Sequence, residues 1–106
     1  MQHLAAAQLA TLLQQAETAP VLVDVREPWE FELCHIAGSV PIPLSDLPAR
    51  LAELDPSQAI TLICHHGMRS EMAAGFLERN GFSKVANLVG GIAAWADQVD
   101  PDMARY

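Results

Sequence analysis

The chain has 106 residues, of which 51% are hydrophobic and 18% are charged, and its formal net charge at pH 7 is −7. This length suits one domain with a single core, so residues 1–106 are predicted to fold as one domain. The acidic balance excludes a nucleic-acid-binding surface, which needs clustered Lys and Arg.

The same composition bounds the location of the protein. No run of about 18 apolar residues is present, which excludes a membrane span. The first residues lack the basic and apolar regions of a signal peptide. We therefore expect a cytoplasmic protein whose two cysteines are free thiols.

In the first half of the chain, the pattern predicts alternating strands and helices. A short strand at Gln2–Leu4 precedes an amphipathic helix over residues 6–16, where leucines recur at helical spacing. Residues 21–25 form an apolar β-branched run, which is typical of a buried parallel strand. Pro28 fits the first position of a short helix over Pro28–Leu33.

The alternation continues in the second half. Prolines limit a strand at residues 39–41, and Asp46 is predicted to cap a helix that ends near residue 54. The remaining predicted elements are a strand at Ile60–Ile63, a helix over residues 69–79, a strand at Val85–Leu88 and a helix over residues 91–99. This order predicts an α/β fold with a parallel sheet, whose ligands bind beyond the carboxyl ends of the strands.

The loop after the strand Ile60–Ile63 carries the candidate site. A thiol at the start of this loop faces the N–H groups and the positive end of the following helix, which together stabilise a thiolate. The glycine permits a sharp bend, and the arginine adds positive charge. The pattern predicts a nucleophilic cysteine, Cys64, and an anion-binding loop made of His65, His66, Gly67, Met68, Arg69 and Ser70.

Phosphoryl transfer and zinc binding fit this loop less well than sulfur chemistry. Cysteine phosphatases place five residues between the cysteine and the arginine, whereas four lie between Cys64 and Arg69. Ile63 also stands where phosphatase loops usually carry a histidine. A zinc site is not predicted, because the chain has no C-x2-C or H-x3-H spacing. The shorter loop favours one additional sulfur atom over a phosphate.

The chain resembles the rhodanese-like sulfurtransferases of the single-domain type. The matching segments are Val21-Leu-Val-Asp-Val-Arg26, Trp29-Glu-Phe, His35-Ile-Ala-Gly-Ser39, Ile42-Pro43, the loop from Cys64 to Ser70, Gly81-Phe82 and Val89-Gly-Gly-Ile-Ala-Ala-Trp95. The resemblance implies a five-stranded parallel sheet with helices on both faces. It also implies that Cys64 takes a sulfane sulfur from thiosulfate or a similar donor as a persulfide. A thiol, cyanide or a protein would accept that sulfur, with no metal or organic cofactor.

Residues outside the loop receive supporting or structural roles. Asp24 and Arg26 match the family's Asp-x-Arg pair, and Arg26 is expected to form an ion pair with Glu30, four residues later. Cys34 is interpreted as a packing thiol and His35 as a structural residue of the family's His-Ile-x-Gly segment.

Two alternative functions remain open at this point. Residues 99–106 weakly resemble the end of rhodanese domains fused to ubiquitin-activating-like enzymes, which suggests a relay module that receives its persulfide from a partner protein. Phosphatase or arsenate-reductase-like chemistry is the third hypothesis.

Overall fold

The computed structural model describes residues 1–15, 17 and 19–106, and in these residues strands alternate with helices. The strands are β1 (Gln2–Leu4), β2 (Val21–Asp24), β3 (Val40–Pro41), β4 (Ile60–Ile63) and β5 (Val85–Leu88). The helices are α1 (Ala6–Leu13), α2 (Pro28–Leu33), α3 (Met68–Arg79) and α4 (Gly91–Gln98). None of the helices in this part of the chain is long and apolar enough to cross a membrane.

The strands form one parallel sheet in the order β1-β5-β4-β2-β3, which confirms the predicted fold class. The central strand β4 pairs with β2 on one side and with β5 on the other. In this register Asp24 lies opposite Ile63. The segments that follow β2 and β4 therefore leave the same edge of the sheet side by side.

Helices cover both faces of the sheet, and each face has its own apolar core. Successive residues of β4 point to opposite faces, so Leu62 packs in the α3 cluster and Ile63 packs in the α1 and α4 cluster. The two cysteines are separated in the same way. Cys64 belongs to the α3 cluster and Cys34 to the other one.

The prediction of a helix capped by Asp46 and ending near residue 54 is wrong. Residues Leu44–Asp46 and Leu51–Glu53 form two short 3₁₀ turns instead. Asp46 and Pro48 are also common turn residues, and Arg50, with φ −108° and ψ 12°, lies outside the helical conformation between the two turns.

The other differences concern the ends of elements. Helix α1 ends at Leu13, before the predicted residue 16, and Ala16 itself lies outside the described residues. Strand β2 and helix α4 end one residue early, β3 begins one residue late and α3 begins one residue early.

Candidate active site

The thiol of Cys64 lies buried at the N-terminal end of α3. Cys64 follows β4 directly and is only 1% exposed. The N–H of Gly67 donates to its Sγ atom over 3.0 Å. Gly67 has φ +102°, a left-handed conformation that favours glycine. Because the first N–H groups of a helix have no partner within it, α3 presents backbone donors at this end.

A second polar contact to the sulfur comes from Ser70. Its hydroxyl lies 3.3 Å from Sγ and makes a short hydrogen bond to Oδ1 of Asn87, while Nδ2 of Asn87 donates to the Gly67 carbonyl. The hydroxyl has one proton, so it can accept from a thiol while bonded to Asn87, or turn to donate to a thiolate. Sequence reasoning missed Asn87. The available signal was a polar residue within the apolar, fully buried strand β5.

Helix α4 holds the same loop from the other side. Ile92 N–H donates to the Cys64 carbonyl at 2.9 Å, and Ala93 N–H donates to the His65 carbonyl at 3.1 Å. Gly91 has φ +59°, and a β-carbon there would lie closer than 3.0 Å to both carbonyl groups. The loop is therefore fixed between the first turns of two helices.

The guanidinium of Arg69 binds Glu30 rather than pointing freely into the loop. Two hydrogen bonds of 2.7 and 2.9 Å join it to the two carboxylate oxygens of Glu30. The Arg69 contacts, followed by smaller contributions from Tyr106 and the Glu27 N–H, lower the pKa of Glu30 to about 2 despite its burial. Hydrogen bonds to Glu30 raise the pKa of Arg69, and the charge of Cys64 adds a smaller part.

The ion pair predicted between Arg26 and Glu30 is wrong. Arg26 instead binds Asp24 through Nε and Nη2, at 2.9 and 2.8 Å, and both side chains are fully buried. Nη2 of Arg26 also donates to the Cys34 carbonyl at 2.6 Å. Arg26 precedes α2, so the four-residue spacing that pairs side chains within one helix does not apply.

Tyr106 connects these two ion pairs and covers the loop. Its hydroxyl accepts a hydrogen bond from Nη1 of Arg26 at 2.9 Å and donates one to Glu30 at 2.6 Å. Its ring stacks on His65 with centroids 3.9 Å apart and meets Trp29 edge-on at 5.6 Å. Burial, with the bond to Glu30, raises the pKa of Tyr106 to about 12. Nothing in the sequence indicated that Tyr106 would reach the Cys64 loop.

The three loop side chains between Cys64 and Arg69 point to different surroundings. His65 is stacked between Tyr106 and His66, and burial, followed by the neighbouring His66, lowers its pKa. His66 is exposed. Met68 is 78% exposed and, with Met72, lines an apolar groove of 620 Å³ along α3.

The structure thus brings most of the predicted site residues to one place. Cys64, Gly67 and Ser70 meet at the sulfur, whereas Arg69 is 36% exposed and engaged by Glu30. Cys34 is buried beside Arg26. Within the residues that the structure describes, no group of three or more His, Cys, Asp or Glu side chains is arranged to hold a metal ion.

The sequence and the fold of this chain are similar to those of known proteins. The family model of the rhodanese-like domain matches residues 5–98. The putative sulfur carrier protein YrkF of Bacillus subtilis is 44% identical over 79 residues, which are 74% of this chain and 43% of that protein. The probable adenylyltransferase/sulfurtransferase MoeZ of Mycobacterium tuberculosis is 41% identical over 87 residues, 80% of this chain and 22% of that protein.

The chain therefore spans less than half the length of these two relatives. Among solved structures, a rhodanese-related protein from Thermoplasma volcanium superposes with a TM-score of 0.81 at 32% identity, covering 93% of this chain and 94% of that one. Because the family model matches residues 5–98 and the fold is shared with a rhodanese-related protein, this chain belongs to the rhodanese-like domain family.

Proposed function

We propose that this chain is a sulfurtransferase domain in which Cys64 carries one sulfur atom as a persulfide. The main support for this proposal is that the Sγ atom of Cys64 is buried and accepts a hydrogen bond from the Gly67 N–H at the start of α3. Backbone donors in a water-excluded site stabilise negative charge on sulfur. The family match supports sulfur chemistry at this position.

The reaction would consist of two half-reactions at Cys64. In the first, the Cys64 thiolate attacks the outer sulfur of thiosulfate; the S–S bond of thiosulfate breaks, sulfite leaves with the bonding electron pair, and Cys64 holds a persulfide anion. In the second, cyanide, a thiol or a protein nucleophile attacks the terminal sulfur and the thiolate is restored. A covalent intermediate of this kind predicts ping-pong kinetics.

The surroundings of the sulfur suit both anionic forms of Cys64 in this cycle, the thiolate and the persulfide. Gly67 N–H and the Ser70 hydroxyl can donate to a thiolate, and the donors at the start of α3 would face the outer sulfur of a persulfide. Apart from the sulfur donor and the acceptor, the two half-reactions need no metal or organic cofactor. A reducing compartment such as the cytoplasm fits this chemistry, because it keeps Cys34 and Cys64 as thiols.

Intact mass spectrometry tests the proposal. Wild-type protein incubated with thiosulfate, or separately with a persulfide donor, should gain the mass of one sulfur atom and lose it on addition of cyanide. Cys64→Ser should show no gain, and Cys34→Ser should behave like the wild type, since Cys34 lies in the other core cluster. Equal loss in both variants would contradict a single sulfur carrier.

A second candidate function is sulfur relay from a partner protein. The names of YrkF and MoeZ, a sulfur carrier protein and an adenylyltransferase/sulfurtransferase, favour it. In that role the same Cys64 persulfide would form by attack on a persulfide of the partner, and the partner thiol would leave. A mass gain from a protein persulfide combined with no gain from thiosulfate would identify the relay.

Phosphatase or arsenate-reductase-like chemistry is the least supported candidate. It needs the loop to surround a tetrahedral anion, and the arginine of this loop is already bound by both oxygens of Glu30. Turnover of aryl phosphates by the unmodified chain, without any gain of sulfur, would reverse this order.

A further inference from the structure

Each arginine near the Cys64 loop has a carboxylate partner. Arg69 binds Glu30 at 2.7 Å, Arg26 binds Asp24 at 2.8 Å, and Arg105, which shares a small cavity with His65 and His66, binds Asp97 at 2.9 Å. Burial lowers the pKa of His65 and so disfavours a positive charge on that imidazole. The whole chain carries a formal charge of −7. For a rhodanese-type thiol, the described surroundings of Cys64 therefore offer little net positive charge from side chains.

Glu30 is a carboxylate that contacts the Cys64 loop directly, because it binds Arg69 and its charge also acts on His65. Its side chain is only 5% exposed and accepts hydrogen bonds from the Arg69 guanidinium, the Tyr106 hydroxyl and the Glu27 N–H. With a pKa of about 2 it stays ionised under all ordinary conditions. Hydrogen bonds from these three groups hold the carboxylate in its position beside the loop.

The charges of Glu30 and Arg69 affect sulfur donors differently, according to the charge of the sulfur donor. A dianion such as thiosulfate meets the repulsion of Glu30 with twice the charge of a monoanion, and the attraction of Arg69 is offset by the same carboxylate. Backbone N–H groups at the start of α3 remain as donors, and they suffice to stabilise one negative charge on an outer sulfur.

We propose that Glu30 is a specificity-determining residue, which makes the Cys64 site select against small dianionic sulfur donors and favour persulfide donors of lower charge. This inference rests on the proposed function, because it concerns the donor that loads Cys64. Thiosulfate, the donor implied by the family resemblance, is then a poor donor for this chain.

The decisive experiment compares Glu30→Gln with two control variants. Gln removes the charge and keeps one acceptor oxygen, while an NH₂ group, which cannot accept from Arg69, replaces the other oxygen. Glu30→Asp keeps the charge on a shorter side chain. Glu32→Gln removes an equal charge from an exposed position on the same helix. For each protein, kcat/KM for thiosulfate and for cysteine persulfide, a monoanion, is measured with cyanide as acceptor.

We expect Glu30→Gln to raise the ratio of thiosulfate to persulfide efficiency by about fivefold or more, by reducing the KM for thiosulfate. Glu30→Asp and Glu32→Gln should keep the ratio of the wild type. A ratio that Glu30→Gln leaves unchanged or lowers would overturn the proposal, and so would an equal rise in Glu32→Gln. A rise in Glu30→Asp would show that the shape of the loop, not the charge, sets the preference.

A binding measurement separates this inference from the proposed function. In the Cys64→Ser background, which cannot form a persulfide, Glu30→Gln should tighten thiosulfate binding by a similar factor in calorimetry. No sulfur uptake by the wild type from any donor would refute the proposed function. Sulfur uptake by the wild type, with thiosulfate binding unchanged in the Glu30→Gln protein, would refute the role of Glu30 alone.

Discussion

Replacing Gly91 by alanine should separate the Cys64 loop from α4. Gly91 has φ +59°, where a residue with a β-carbon costs about 1–2 kcal/mol. The new β-carbon would also meet the carbonyl groups of Cys64 and His65 at less than 3.0 Å. Because these atoms are backbone, the conflict cannot be relieved by a rotamer change, and such overpacking costs about 1–3 kcal/mol more.

The expected total is therefore about 2–5 kcal/mol, a large part of the roughly 5–15 kcal/mol that stabilises an ordinary domain. Gly81→Ala is the matched control. Gly81 has φ +89°, yet nothing lies within 4 Å of a β-carbon built there. This control carries the backbone strain without the contact, so the difference between the two variants isolates the contact with the loop.

Urea unfolding followed by circular dichroism measures both free energies of unfolding, and intact mass spectrometry measures sulfur uptake at Cys64. We expect Gly91→Ala to be less stable than Gly81→Ala by about 1–3 kcal/mol and to take up sulfur far more slowly. Gly81→Ala should retain the wild-type rate of uptake. If the two variants match in stability and in uptake, the claim that α4 positions the loop is refuted.

Two further predictions concern the groups that surround the loop. Tyr106 is the only tyrosine of the chain, so the ultraviolet absorbance of tyrosinate reports it alone. Its titration should have a midpoint near pH 12, because its pKa is raised to about 12. The stability that its neutral hydroxyl provides should be complete below pH 10 and disappear as the pH rises through 12. A midpoint near 10 in the folded protein would contradict the hydrogen bonds to Arg26 and Glu30. Asp24→Asn should lower the free energy of unfolding by about 3–5 kcal/mol, because it leaves the guanidinium of Arg26 buried without a counter-ion. Asp97→Asn, which breaks the exposed ion pair with Arg105, should lower the free energy of unfolding by at most about 1 kcal/mol. Equal losses for Asp24→Asn and Asp97→Asn in urea unfolding would contradict the expected effect of burial.

The sequence was sufficient for the sheet and for the segment from Cys64 to Ser70. Buried parallel strands appear as short apolar runs, and Ile60–Ile63 is one of them. The residues of the loop are adjacent in the chain, so their proximity to the thiol follows from local geometry. The prediction of a helix after Asp46 was wrong because its signals, a capping Asp and a proline two residues later, also fit the short turns that form there.

The environment of the loop could not be predicted in the same way. Arg69 and Glu30 are 39 residues apart, and Tyr106 and Glu30 are 76 residues apart. Such pairs depend on the packing of α2 and of the last residues against the sheet edge, and a single sequence has no period that encodes them. Asp24 and Arg26 pair because the side chains of residues i and i+2 in an extended segment lie on one face. Arg26 therefore does not bind Glu30, the partner that helical spacing predicted.

The backbone donor Gly67 N–H and the charged side chains around the loop both act on the sulfur of Cys64. Glu30, with a pKa of about 2, and Tyr106, with a pKa of about 12, do not change their charge near neutral pH. Arg69 keeps its charge as well, because its hydrogen bonds to Glu30 raise its pKa further. The charges of these three side chains are therefore constant near neutral pH. It follows that these three groups add no pH dependence of their own to chemistry at the sulfur near neutral pH.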